Sequence, residues 1–241
     1  MFSALPFNMP AKNIFSTPFL PSDLGANLRL WTREGNTRYQ DSARTTLVTA
    51  STQPVGSWTD SSASLAHIFQ ATGAARPLEN TARDGVVFNG AKVMTTPNLG
   101  AFAGDFFVGM VLTPTTLAAG YVRFLEREPS GAGVYLGTAG VGNEVVGFIY
   151  GAPSSATSLS TGAKHYIGLE RIGTTGKLYV NSSTASQTWT VPATSIPDGA
   201  TQIGATDGGA AMYDGNIHEI IIAKDVTAGN VTNLLTYLAT V

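Results

Sequence analysis

The stretch YDGNIHEIII, Tyr213 to Ile222, sets a histidine beside a glutamate, and His218 is one of only three histidines in the 241-residue chain. A His-Glu pair can hold a metal or act as an acid/base unit. Geometry argues against that here. If residues 217–222 form a strand, period-2 alternation puts Ile217, Glu219 and Ile221 on one face and His218, Ile220 and Ile222 on the other. The two side chains then cannot act on one substrate atom. A β-bulge would undo this reasoning by turning neighbours to the same side. Apolar residues on both faces also predict a strand covered on both sides. Glu219 then needs a partner, because a buried carboxylate without one is costly.

Glycoside hydrolysis needs two carboxyl groups about 5–9 Å apart. The nearest approach is Glu126-Arg127-Glu128, whose acids share a face in a strand. Pro129-Ser130-Gly131 follows at once, so Glu128 falls at a turn, and no third acid is close. This reads as a solvated strand end. Serines are plentiful, but no Gly-x-Ser-x-Gly elbow occurs. His67, His165 and His218 lie far apart, with no zinc-ligand spacing. Cysteine is absent, which removes thiol catalysis, zinc-thiolate sites and disulfides. From these residues the expectation is a protein that is not an enzyme.

Two binding chemistries remain. Asp207 and Asp214 sit in the Gly-rich stretch ATDGGAAMYDG and offer the oxygen ligands that calcium prefers. The competing reading is a plain Asp-Gly turn, and with it no cofactor. Glycan binding needs exposed aromatic platforms. Trp189, flanked by Thr188 and Thr190, is the first candidate, followed by Tyr150, Tyr166 and Tyr179. Each has the alternative of filling a core. Asp60 and His67, in WTDSSASLAHIFQA, read as loop-holding residues, Asp60 through an Asx turn.

Composition narrows the partners. Charged residues are 12% against 43% hydrophobic, and the net charge is −2. No basic run supplies the electrostatic footprint of a nucleic-acid binder. The N-terminus lacks a basic region, and Pro6 and Pro10 interrupt its apolar stretch, so no signal peptide is expected. No apolar run approaches the roughly 20 residues of a membrane span.

The elements that must position these residues are mostly strands. Short runs bounded by Gly, Pro, Ser, Thr, Asn or Asp recur from residue 24 onward: LRLW, GVVFNG, DFFVGMVLTP, YVRFLER, GVYLG, EVVGFIYG, HYIGLERIG, KLYVNS, TWTV, TQIGA and IHEIIIA. Such spacing predicts an all-β sandwich or barrel. Val231, Leu234, Leu235 and Leu238 fall at helical spacing, which predicts a helix over 227–240 capped by Asp225 or Thr227. Residues 1–22 differ. Pro6, Pro10, Pro18 and Pro21 alternate with Phe2, Phe7, Phe15 and Phe19, which predicts an extended arm ahead of a domain over 23–241. Exposed phenylalanines suit docking on a neighbouring subunit. The other readings are a floppy terminus and a lead strapped across its own domain.

Several of these stretches, taken in order, resemble concanavalin A-like, laminin-G-type jelly rolls of bacterial and phage proteins. They are LPSDLGANLRLWTREG (20–35), SWTDSSASLAHIFQATGAARP (57–77), GVVFNG (85–90), KLYVNSS (177–183) and the ending IGATDGGAAMYDGNIHEIIIAKDVTAGNVTNLLTYLA (203–239). Ser182 stands where glycine is usual. The resemblance implies a two-sheet antiparallel jelly-roll sandwich with one concave face. It implies core roles for Trp31 and Trp58.

Fold does not fix function, but the resemblance and the arm together lead to an expectation. It is a non-enzymatic phage virion structural protein: a head-decoration, fibre or tail-associated subunit assembled in the host cytoplasm. The arm would join other virion subunits, the chain would self-associate, trimerically in many such appendages, and the domain would add weak affinity for a cell-surface or mucus glycan. The first alternative is a bacterial carbohydrate-binding lectin-like module. The second is a glycoside hydrolase of the laminarinase type.

Overall fold

The computed structural model describes residues 17–117, 121–127, 133–139, 143–205 and 212–241. A 3₁₀ helix (Pro21–Asn27) leads into β1 (Leu28–Thr32), β2 (Arg38–Tyr39), β3 (Ser57–Trp58), β4 (Ile68–Phe69), β5 (Leu78–Glu79) and β6 (Val86–Asn89). Then come β7 (Met94–Thr95), β8 (Phe106–Thr116), β9 (Val122–Arg127), β10 (Val134–Ala139), β11 (Glu144–Ile149) and β12 (Ala152–Ser158). The chain closes with β13 (His165–Ile172), β14 (Thr175–Val180), β15 (Gln187–Thr190), β16 (Thr201–Ile203), β17 (Asp214–Lys224) and helix α1 (Ala228–Leu238).

The strands make two antiparallel sheets, the sandwich expected from the sequence. One runs β15-β14-β13-β8-β17-β6-β5, with β1 also paired to β17. The other runs β12-β11-β10-β9-β16-β7-β4-β3-β2. Between them lies the main core, including Trp58, Phe88, Phe102, Phe106, Phe124, Ile217, Ile220 and Ile222. Each large apolar side chain buried there stabilises by about 1.5–3 kcal/mol.

A second, smaller core lies on the outer side of the eight-stranded sheet. There Val231, Leu234, Leu235 and Leu238 of α1 pack on Trp31, Phe107, Val111, Tyr179 and Ile221. This explains why β8 and β17 are apolar on both faces. Thr227 caps the helix: its side chain accepts from the Asn230 backbone N–H at 3.2 Å. Gly109 and Gly168 face each other across β8 and β13 and form the seat for this packing. A Cβ on Gly109 would stand 2.7 Å from Leu238 and 2.6 Å from the Phe107 ring.

The lead is partly tied down. Phe19 packs against the helix-side core; Phe2, Phe7 and Phe15 lie outside the described residues.

The alternation expected for 217–222 does not hold. The pairing of β17 with β8 shifts register between Ile217 and Glu219. This bulge sends both Ile217 and Ile220 into the main core. His218 and Glu219 both turn away from that core, so the strand geometry no longer separates them. Each has its own partners. His218 Nε2 meets Thr113 Oγ1 at 2.9 Å and its Nδ1 meets the Asp84 carbonyl at 3.0 Å. Glu219 Oε1 accepts from Trp31 Nε1 at 2.7 Å.

Candidate functional site

The outer side of the eight-stranded sheet is largely covered by α1, whereas the nine-stranded sheet has an open face. In β10, Val134 and Leu136 enter the core while Tyr135 is only half-buried. In β11, Val145 and Ile149 point inward and Phe148 outward. A second bulge shapes β9. Its register against β10 jumps from Leu136–Leu125 to Gly137–Arg123, and Phe124 and Leu125 both enter the core. Arg123 and Glu126, three apart, therefore share the open side, where a regular strand would oppose them. They form an ion pair at 3.6 Å.

The resulting surface is ordered by stacking. Tyr135 and Phe148 are cross-strand partners. Their rings lie 4.7 Å apart and within 8° of parallel. The Arg123 guanidinium sits 3.6 Å from the Tyr135 ring centroid and 5.5 Å from that of Tyr121, favourable cation–π contacts. Burial raises the Tyr135 phenol above its ordinary range, and Arg123 offsets part of that rise. Tyr121 is 63% exposed. Beside the stack opens a cavity of about 340 Å³ lined by Tyr121, Tyr135, Ala139, Val146, Phe148 and Pro153, with Ser154 and Ser155 at its edge.

Cross-strand pairing extends this patch into a row. Pro153, Phe148, Tyr135, Glu126, Gln202, Thr95 and Phe69 are successive partners across seven strands. At about 4.8 Å per strand the row is about 29 Å long. It places an aromatic pair at one end, an acid and an amide in the middle, and Phe69 at the other end. Apolar platforms interleaved with planar polar groups can hold a ligand that is apolar on its faces and hydroxylated at its rim.

The residues singled out from sequence lie elsewhere. Trp189 is packed against the main core, and its Nε1 donates to the Ala152 carbonyl at 3.2 Å. Tyr150 occupies the turn between β11 and β12 with φ 45° and also packs on the core. Tyr166 packs on the helix-side core, where burial raises its phenol. Tyr179 is 5% exposed and donates to Glu170 Oε2 at 2.9 Å. Asp214 accepts from Thr116 Oγ1 at 2.8 Å; Asp207 and Glu128 lie outside the described residues. Among the described residues no three His, Asp or Glu side chains group as metal ligands.

The histidines hold loops and strands. His67 Nδ1 accepts from the Asp60 backbone N–H, and Asp60 in turn accepts from the N–H groups of Trp31, Ser62 and Ala66. His165 Nδ1 accepts from Asn181 Nδ2 at 2.8 Å, leaving Nε2 to donate to the Ser160 carbonyl at 2.9 Å. Sequence reasoning missed Tyr121, Arg123, Tyr135 and Phe148. The alternation in GVYLG could have placed Tyr135 outward; its meeting with Phe148 depends on register.

No family model matches the chain, and no curated protein does. The fold has solved counterparts. One is a mutant GH54 α-L-arabinofuranosidase soaked with 4-nitrophenyl α-L-arabinofuranoside, with a TM-score of 0.67 at 12% identity, covering 92% of this chain and 65% of that one. Domain 4 of AbnA, a GH43 extracellular arabinanase from Geobacillus stearothermophilus solved with arabinotriose, gives 0.58 at 14% identity, covering 87% of this chain and 98% of that domain. Trypanosoma rangeli sialidase in complex with 2,3-difluorosialic acid gives 0.58 at 17% identity, covering 87% of this chain and 33% of the sialidase. The chain thus spans about a third of the sialidase.

At these identities the likeness establishes the fold. It also corrects two expectations. The virion reading rested on the arm and on a resemblance to domains of phage proteins, whereas the solved counterparts above are proteins of carbohydrate chemistry, with no virion component among them. The expectation of a protein that is not an enzyme falls likewise, since glycoside hydrolases share the fold. Among the described residues no helix is long and apolar enough to cross a membrane.

Proposed function

We propose that this chain is a carbohydrate-active sandwich that engages a glycan across the open face of its nine-stranded sheet. The observation that carries this reading is the 340 Å³ cavity beside the Tyr121, Tyr135 and Phe148 rings. Its size suits a small ligand. The Tyr135 ring is flanked by Phe148 and Arg123, so Tyr121 offers the freer ring face for stacking a sugar. The arabinanase domain solved with arabinotriose and the sialidase complex are consistent with this chemistry.

A glycan array followed by calorimetry on the best ligand tests the proposal. Saturable binding that drops in Tyr121→Ala and Tyr135→Ala is the expected result. An array without saturable binding, or binding indifferent to both substitutions, refutes it.

One observation favours a hydrolytic reading of the same face. Glu126 stands next to Tyr135 in the cross-strand row and, 7% exposed beside the buried Arg127, is not the solvated strand end expected from sequence but an acid held at the floor of this face. Release of reducing sugar from arabino-oligosaccharides, lost in Glu126→Gln with binding retained, would establish hydrolysis.

A further inference from the structure

On the far side of the molecule, a second cavity of about 420 Å³ opens between the β1–β2 loop and the end of α1. Arg33, Glu34, Gly35, Glu219, Tyr237 and Thr240 line it. Its floor is built with care. Glu219 is 1% exposed, and its Oε1 accepts from Trp31 Nε1 at 2.7 Å. The Tyr237 phenol lies close enough to influence the Glu219 carboxyl, and the Tyr237 ring meets Trp31 edge-on at 6.0 Å. Trp31 thus joins β17 through its indole N–H and α1 through its ring, beneath an open space. Arg33 lies 4.6 Å over the same Trp31 ring, which fixes its guanidinium at the rim. Among the described residues, neither that guanidinium nor the Glu34 carboxylate makes a hydrogen bond or an ion pair.

The wall chemistry selects a ligand class. Burial pushes Glu219 up to about 7, so near neutrality it is in large part a carboxylic acid, able to donate as well as accept. A guanidinium fork, a carboxylate, a phenol and a hydroxyl surround it. An anion would meet Glu34 at the rim. A metal ion would meet Arg33, and no ligand cluster is present among the described residues. A purely apolar ligand would leave these groups unpaired. Vicinal hydroxyls, each both donor and acceptor, match such a mixed set.

We propose that this cavity is a second binding site, taking a single sugar-like polyol such as the terminal residue of a glycan, with Arg33 and Glu34 gripping its hydroxyls over the Glu219–Tyr237 floor. The site does not depend on the open face, and either can fail alone.

The test uses the full chain with L-arabinose, D-galactose, D-glucose and N-acetylneuraminic acid as probes, and methylammonium as a cationic control. Saturation-transfer NMR reports binding, and backbone amide shifts report its place. The expected result is saturable binding of at least one sugar that moves the Gly35 and Thr240 amides. Glu34→Gln and Arg33→Ala, both surface changes, should each weaken it about tenfold or more. Shifts confined to Ala139 and Ser154 would place the sugar on the open face and overturn this site while supporting the other. Absence of saturable sugar binding, capture of methylammonium alone, or affinity unchanged in both variants would also overturn it.

Discussion

Inside the sandwich, Arg127 lies 4.2 Å over Phe102, Phe102 stacks on Phe106 at 5.3 Å, and Arg171 lies 5.1 Å over Phe106. On the open face Arg123 lies over Tyr135, which stacks on Phe148. The two ladders use the same chemistry, yet their surroundings give them different work. The inner ladder bridges the sheets, since Arg127 comes from β9 and Arg171 from β13. Arg127 donates to the carbonyls of Gly100 and Pro197, and Arg171 to those of Thr194, Phe102 and Gly104. Those loop carbonyls would otherwise lose their partners. The outer ladder carries an ion pair with Glu126 and borders a cavity. A cation on an aromatic ring is therefore a brace or a ligand platform according to what else its donors and the ring edges meet.

Substitutions can break this contrast. Arg171→Ala should cost the most, roughly 3–4 kcal/mol, because it strands buried carbonyls. Urea unfolding measures it, and a loss under 1 kcal/mol would mean that the inner ladder is no brace.

The pH dependence of stability should likewise belong to the buried side. Glu219, ordinarily near 4.5, is raised to about 7 in the folded protein. Folding then favours its protonated form, so stability falls as pH rises from about 4.5 to 7 and levels off above. The full contribution is roughly 3 kcal/mol. Unfolding curves at several pH values should flatten over this window in Glu219→Gln. An unchanged slope would show that the carboxyl titrates normally.

The outer ladder should behave in the opposite way. Tyr135→Ala should cost only about 1 kcal/mol in stability while lowering glycan affinity about tenfold. Calorimetry and unfolding on the same sample separate the two quantities. Arg123→Ala should give the smallest effect, about threefold in affinity, and a loss as large as that of Tyr135→Ala would make the cation itself a ligand contact.

Much of the scaffold was legible in the sequence. Strand periodicity predicted a sandwich or barrel, and the Val231–Leu238 stripe predicted α1 with Thr227 as one of two candidate caps. The loop roles of Asp60 and His67 were legible too, because Asp and His beside small residues bond locally. The site was not. It depends on two bulges, at Phe124–Leu125 and at His218. A bulge is fixed by the pairing of two strands over their length, and the glycines that make room for these two, Gly137 against Val122 and Arg123 and Gly85 against Ile217 and His218, lie on other stretches of the chain, where sequence alone does not connect them to the bulges. The stack of Tyr135 on Phe148 needs the β10–β11 register for the same reason. Tyr179 and Trp189 look like platforms in sequence, but their polar atoms are taken by Glu170 and Ala152.

The bulge in β9 makes the chemistry of the open face depend on chain length at a single point. Deleting one residue there, Phe124 for example, would restore simple alternation while leaving Arg123 and Glu126 on the open side and Leu125 and Arg127 on the core side. Arg123 and Glu126 would then stand two residues apart, with Arg127 still over Phe102. Insertions and deletions at this point are thus a route by which related chains could keep the sandwich and reset the spacing of charges along its open face, with no change in amino-acid composition beyond one residue.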